Sequence, residues 1–191
     1  FLLNIETATI ERILEPLTNN LRHIMPRPDV AMLINSFGLD SGQAMREIIS
    51  STLRTAGIYE GVTFQDLKRL LQKDFSCVAT NLETQEPVYF SASATPDTKV
   101  IDDIMMSCTL PLLFAPMRYN DAVMVDGALT HNMPRNTPID ETLFVDFSRD
   151  DKVGRIGNVN EFVIGLIMMT IEREQNWYAD RPTIHLKLPM T

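Results

Sequence analysis

The stretch Ala122-Val123-Met124-Val125-Asp126-Gly127-Ala128-Leu129-Thr130-His131-Asn132-Met133-Pro134 decides the architecture of this chain. Its first four residues are an apolar run of strand length, and a carboxylate followed by a glycine comes directly after them. Open α/β sheets place their ligands there, beyond the carboxyl ends of the strands. Gly127 lets the backbone turn sharply and lets another group approach closely. An Asp-Gly pair also serves as a plain Asx-turn, so its meaning depends on its surroundings.

Working outward, Val100 to Cys108 carries apolar residues at helical spacing and runs into Pro111, which stops the helix. Before it, Phe75 to Leu82 and Pro87 to Ser91 read as two strands around the polar turn Glu83-Thr84-Gln85-Glu86. Thr63 caps a short helix over Phe64 to Leu71. Met45, Ile48, Ile49, Thr52 and Leu53 form one helical face, which opens after the possible caps Asp40 and Ser41 and closes at Gly57. A first helix, with Ile10, Ile13, Leu14 and Leu17 in register, ends at Pro26-Arg27-Pro28. Downstream, Leu143-Phe144-Val145 is a short apolar run of the buried-strand kind, Phe162 to Trp177 reads as a long helix and Thr183 to Leu188 as a final strand. Strands alternating with helices predict an α/β sandwich with a mostly parallel sheet.

Composition narrows the function. The chain has 191 residues, 45% hydrophobic and 22% charged, which fits one globular domain over 1–191. Its net charge of −8, with no basic cluster, argues against a nucleic-acid partner and against strong adsorption to anionic lipid. Cys77 and Cys108 lie in apolar stretches without a paired cysteine motif, so neither a disulfide framework nor a structural zinc site is expected, and a reduced cytoplasmic setting fits. The longest apolar run, Phe162 to Met169, falls short of the roughly 20 residues that span a bilayer, so no transmembrane segment is expected. The chain opens on Phe1 with neither an initiator methionine nor a basic leader, which reads as a polypeptide joined partway through.

The two segments flanking the strand carry a resemblance. Ser107-Cys108-Thr109-Leu110-Pro111-Leu112-Leu113-Phe114-Ala115-Pro116, then Asp126-Gly127-Ala128 and Asn132-Met133-Pro134, resemble the patatin-like phospholipases in order and spacing. That family has a helix ending in a serine-containing segment with a proline, a Phe-x-Pro, a strand, an Asp-Gly-Gly or Asp-Gly-Ala motif and an Asn-x-Pro. The similarity runs from about Asn35 to Pro134 and also takes in Thr63-Phe64-Gln65-Asp66-Leu67 and Ala79-Thr80-Asn81-Leu82.

The resemblance implies a three-layer α/β sandwich with a mostly parallel central sheet. It also implies a serine and aspartate pair without histidine, hydrolysing carboxylic esters of phospholipids or related lipids through an acyl-serine, with no metal or organic cofactor. Asp126 is then the general base, supported by Gly127 and by Ala128 in place of the second glycine. The substrate would be a lipid at a membrane or micelle surface, reached by a cytoplasmic protein at the membrane periphery. No Gly-x-Ser-x-Gly elbow or glycine-rich oxyanion segment occurs in residues 1–191. The family places both ahead of this region, so the domain is expected to be N-terminally incomplete and the chain alone inactive. The alternative is a non-catalytic lipid-binding or protein-binding module that keeps part of the fold.

Other candidates read more plainly. Ser41 has glycines at the wrong offsets for an elbow and is expected to cap a helix. Ser107 is expected to position its turn. His131 reads as an exposed loop histidine, since His23, His131 and His185 share no ligand spacing. Met105, Met106, Met168 and Met169 are expected in the core rather than along an acyl channel.

Overall fold

The computed structural model describes residues 30–133, 135, 144–148, 156–171 and 183–187. The expected helix around Ile10 to Leu17 and its proline break lie outside them, as do Leu143, Leu188, Pro134 and the stretch from 172 to Trp177.

The described chain starts with helix α1 (Val30–Ser36), strand β1 (Gly38–Asp40) and helix α2 (Gln43–Thr55). The N-cap position of α2 is Gly42, with φ of +74° and no side-chain cap, so the expected caps Asp40 and Ser41 stand ahead of it and bond the turn instead. Asp40 Oδ1 accepts from the Gly42 N–H at 2.7 Å and Ser41 Oγ accepts from the Gln43 N–H at 3.3 Å. At the other end Gly57, with φ of +73°, adopts the left-handed conformation that a side chain would resist. It turns the chain so that the Gly57 N–H reaches Arg54 O at 3.0 Å and the Ile58 N–H reaches Leu53 O at 2.8 Å, which satisfies two carbonyls of the last turn. Helix α3 (Phe64–Leu71) begins at a reciprocal cap. Thr63 Oγ1 accepts from the Asp66 N–H at 3.2 Å and lies 3.0 Å from the Asp66 carboxylate, to which it donates.

Strands β2 (Ser76–Asn81) and β3 (Glu86–Ser91) pair antiparallel from Ser76↔Ser91 to Asn81↔Glu86. Asn81 Oδ1 secures the turn between them by accepting from the Glu83 and Thr84 N–H groups. Helix α4 (Val100–Ser107) follows, then short strands β4 (Leu112–Phe114) and β5 (Met117–Tyr119), strand β6 (Ala122–Asp126) and a four-residue helix α5 (Ala128–His131). Strand β7 (Phe144–Ser148), helix α6 (Val159–Ile171) and strand β8 (Thr183–Lys187) complete the described elements.

The fold is α/β. Among the described residues the parallel pairings expected of that class are β1 with β4 and β7 with β8. Among the described residues the largest sheet is antiparallel, in the order β3-β2-β6-β5, and its centre is the β2–β6 contact that carries Asp126.

Two apolar clusters flank this sheet region. One gathers Phe64 and Leu67 of α3, Val100 and Met106 of α4, and Ala79, Phe90 and Met124 of the antiparallel sheet. The other packs Val163, Ile167 and Ile171 of α6 on Leu39, Leu113 and Phe114 of the parallel pair. Met105 and Met106 are core residues as expected, whereas Met169 is 61% exposed. One carboxylate sits in this interior: Asp103, 1% exposed, accepts from Thr98 Oγ1 at 2.6 Å. Among the described residues, no helix is long and apolar enough to cross a membrane.

Candidate active site

Asp126 is the last residue of β6, and its backbone is fastened on two sides. Its N–H donates to Thr109 O at 2.9 Å, just past the end of α4, and its carbonyl accepts from Thr80 Oγ1 of β2 at 2.9 Å. Thr80 Oγ1 also meets Thr130 Oγ1 of α5 at 2.9 Å, so the strand, the helix after it and the neighbouring strand form one hydrogen-bonded corner. Thr80 itself is 4% exposed, where an unpaired hydroxyl would be costly.

Gly127 forms the bend from β6 into α5 with φ of −64° and ψ of −24°, angles open to any residue. The glycine is needed here for space rather than for the turn. A Cβ at this position would overlap the Val78 carbonyl of β2. The sequence expectation of close approach holds, and the sharp turn that only glycine could make is not what the backbone uses.

The Asp126 side chain accepts from the Ala128 N–H through Oδ1 at 2.8 Å, the contact of an Asx-turn. Among the described residues this is the carboxylate's one hydrogen bond. Burial pushes the carboxyl up to about 6 from an ordinary 3.8, against the lowering pull of the Ala128 N–H. The turn and the raised basicity therefore coexist in one residue. Near neutrality Asp126 is ionised, yet it is a better proton acceptor than a solvated aspartate.

The carboxylate lines a pocket of about 410 Å³ together with Ser107 at the end of α4, Ala128 and His131 of α5, Phe75 just before β2 and Cys77 within it. Burial, with lesser contributions from Asp103 and Cys108, raises the Cys77 thiol to about 12; burial and then the Asp126 charge raise Cys108 to about 11. Both thiols are protonated at neutral pH and are correspondingly poor nucleophiles. Among the described residues, no group of three or more His, Cys, Asp or Glu side chains converges as a metal site would.

Of the residues weighed from sequence, Asp126, Ala128 and Ser107 come together on this wall, and Gly127 packs behind it against β2. Ser41 stands just ahead of α2, away from this wall, its Oγ accepting from the Gln43 N–H, and does not occupy the N-cap position, which is Gly42. His131 departs from expectation. It is half-buried, lies in α5 rather than a loop, lines the Asp126 pocket, and its Nδ1 is 2.6 Å from Tyr89 Oη. Tyr89 in turn accepts from the Arg135 N–H at 3.1 Å. Tyr89 precedes His131 by 42 residues and meets it only because β3 lies beside β2, so local sequence held no signal for the pair.

Comparison with known proteins places the chain in a family. The profile of the patatin-like phospholipase family matches residues 8–139, well over half of the chain. The probable lipid hydrolase 463L of Invertebrate iridescent virus 6 is 25% identical over 100 residues, covering 52% of this chain and 34% of that protein. The chain thus spans about a third of the length of that curated relative. Among solved structures, VipD from Legionella pneumophila aligns with a TM-score of 0.45 and 19% identity, covering 94% of this chain and 39% of VipD. With its strand, Asp-Gly-Ala bend and preceding helix lying inside the matched span, the chain belongs to the patatin-like phospholipase family.

Proposed function

We propose that the chain is the aspartate-bearing part of a serine lipid acyl hydrolase, in which Asp126 is the general base for a serine supplied from outside residues 1–191. The observation that carries this reading is the Asp126 carboxylate at the end of a buried strand, on a pocket wall, with its acidity lowered toward neutrality by burial. A base of that strength accepts a serine proton as the hydroxyl attacks an ester carbonyl, and returns it to the departing alkoxide. The Ala128 N–H keeps one carboxylate oxygen in a fixed direction and leaves the other for the serine.

The substrate class that goes with this chemistry is the carboxylic ester of a phospholipid or related lipid. The single-domain organisation over 1–191 and the lack of activity in this chain alone belong to the same proposal. Supporting the last point, residues 1–191 contain no Gly-x-Ser-x-Gly, and no acyl-enzyme forms without a nucleophile.

A second reading, in which the chain acts as a non-catalytic lipid-binding or protein-binding module, is favoured by the lack of any Gly-x-Ser-x-Gly in residues 1–191. The two separate on one experiment: fatty-acid release from phosphatidylcholine micelles by the polypeptide that carries both the serine and these residues. Release that is abolished by a serine-directed phosphonate and by Asp126→Asn supports the hydrolase. A polypeptide that binds the micelles without release, with or without the substitution, supports the module.

A further inference from the structure

We infer that a pocket between α4 and β5 binds a small primary amine that carries a phosphate, its ammonium meeting Asp103 and its phosphate meeting Lys99 and Arg118. The pocket holds about 370 Å³ and is distinct from the one at Asp126. Helix α4 lines this one with Asp102, Asp103 and Met106, and the other with Ile104 and Ser107.

Asp103 carries the inference. It is 1% exposed, yet among the described residues its carboxylate has one hydrogen bond, from Thr98 Oγ1 to Oδ2 at 2.6 Å. The Thr98 hydroxyl has a single proton and also stands 3.0 Å from Thr95 O. Oδ1 is left without a donor, which is costly for a buried carboxylate. A donor arriving through the pocket relieves that cost. An ammonium does so best, because it brings N–H groups and the opposite charge together. Among the described residues no three His, Cys, Asp or Glu side chains converge, so a bare metal ion is the weaker fit.

The rest of the lining selects what the amine carries. Asp103 and Met106 are buried and form the inner wall, Met117 and Tyr119 are half-buried, and Lys99 and Arg118 are exposed at the mouth. Asp102, on the same wall, is already matched by Arg46 at 2.6 Å. The Lys99 ammonium has no hydrogen bond or ion pair among the described residues. Arg118 donates one N–H to Asp121 O at 2.8 Å and keeps the others. A carboxylate inside and two cations at the mouth complement a zwitterion that enters ammonium first, and the two cations suit a phosphate. The methionines and the Tyr119 ring border the short apolar link between the ligand's charges.

Phosphoethanolamine, ethanolamine and inorganic phosphate, titrated calorimetrically into the 191-residue chain, test this. Low salt and about pH 7.5 are used, above the value near 6 to which burial raises the Asp103 carboxyl. Phosphoethanolamine is expected to bind tighter than either half-molecule by on the order of tenfold. Phosphocholine should bind more weakly than phosphoethanolamine, since its trimethylated nitrogen has no proton for Oδ1. Asp103→Asn should bring phosphoethanolamine down to the affinity of phosphate. Lys99→Gln, at an exposed position where folding is little disturbed, should bring it toward that of ethanolamine and serves if the first variant folds poorly. Glycerophosphoethanolamine identifies the source: binding as tight as phosphoethanolamine supports a lipid headgroup in the pocket, and much weaker binding supports a free aminoalkyl phosphate. Phosphoethanolamine that does not bind, or binds no tighter than phosphate, overturns the inference. Affinity that survives both substitutions overturns it too. The role of Asp126 is read from turnover and stands or falls separately.

Discussion

Gly127 lies against the Val78 carbonyl of β2 so closely that a Cβ would overlap the oxygen. Because Ala79 of β2 pairs with Asp126, this contact sets how near the Asp-Gly bend comes to the central strand. Gly127→Ala is expected to push β6 and β2 apart at a cost of about 1–3 kcal/mol, the range for overpacking a tight interior. Denaturant unfolding of the variant and the parent chain measures it. Unchanged stability would mean that the corner relaxes freely and that spacing does not fix the carboxylate.

Tyr89 and His131 make a second test of the corner. Tyr89→Phe removes the hydroxyl that meets His131 Nδ1 at 2.6 Å and accepts from the Arg135 N–H. A loss of about 0.5–1.5 kcal/mol is expected, in line with a typical hydrogen bond. The balance of His131 tautomers should also shift, which nitrogen chemical shifts of the imidazole report. The same balance in both proteins would show that Tyr89 does not orient the ring.

Asp103 yields a prediction in pH. Burial raises its carboxyl to about 6 from 3.8, the Thr98 hydroxyl opposes this, and the Asp102 charge adds to it. A folded-state value above the unfolded one means that the folded state binds more protons between about pH 4 and 6, so this group's contribution declines as pH rises through that window. Asp103→Asn keeps an oxygen for the Thr98 hydroxyl and removes the buried charge. The variant should match the parent near pH 4 and exceed it in stability by about 1–3 kcal/mol at pH 7 and above. Parallel denaturation curves at both pH values decide it, and a variant less stable at pH 7 would show that the ionised Asp103 is held by more than Thr98.

The parts of the fold legible in the sequence are those with a long enough period or a cap to announce them. Thr63 and Asp66 mark the start of α3, and Gly57 marks the end of α2. The polar turn at residues 83–86 sets the β2–β3 hairpin close to the expected bounds. Strands β1, β4 and β5 have three residues each, too few for alternation to register, and α5 has one turn. At the site, Asp126 and Ala128 were legible because strand, carboxylate and glycine are contiguous. In the sequence Ser107 and His131 read as ordinary turn and loop residues, because their place on the pocket wall depends on how α4, β2, β3 and α5 meet, which no local pattern encodes. Gly127 was legible as a glycine with a purpose, but the purpose, the approach of Val78, lies 49 positions away.

Without a serine partner the chain should be inert. Hydrolysis of a short-chain nitrophenyl ester by the 191-residue chain is expected to stay at the rate of the buffer. Turnover above that rate, lost on treatment with a serine-directed phosphonate, would place a working nucleophile within residues 1–191 and make Ser107, on the Asp126 pocket wall, the first to substitute.

Asp126→Asn, in the polypeptide that carries both the serine and these residues, bears most directly on the central claim. Asparagine still accepts from the Ala128 N–H through its side-chain oxygen, so the turn and the fold should survive. An amide cannot take the serine proton at neutral pH. Turnover on phosphatidylcholine micelles should therefore fall by ~10²–10⁴-fold, as when acid–base assistance is lost, with the thermal transition little changed. Turnover within a few-fold of the parent, in a variant that is equally stable, would contradict the assignment of Asp126 as the base.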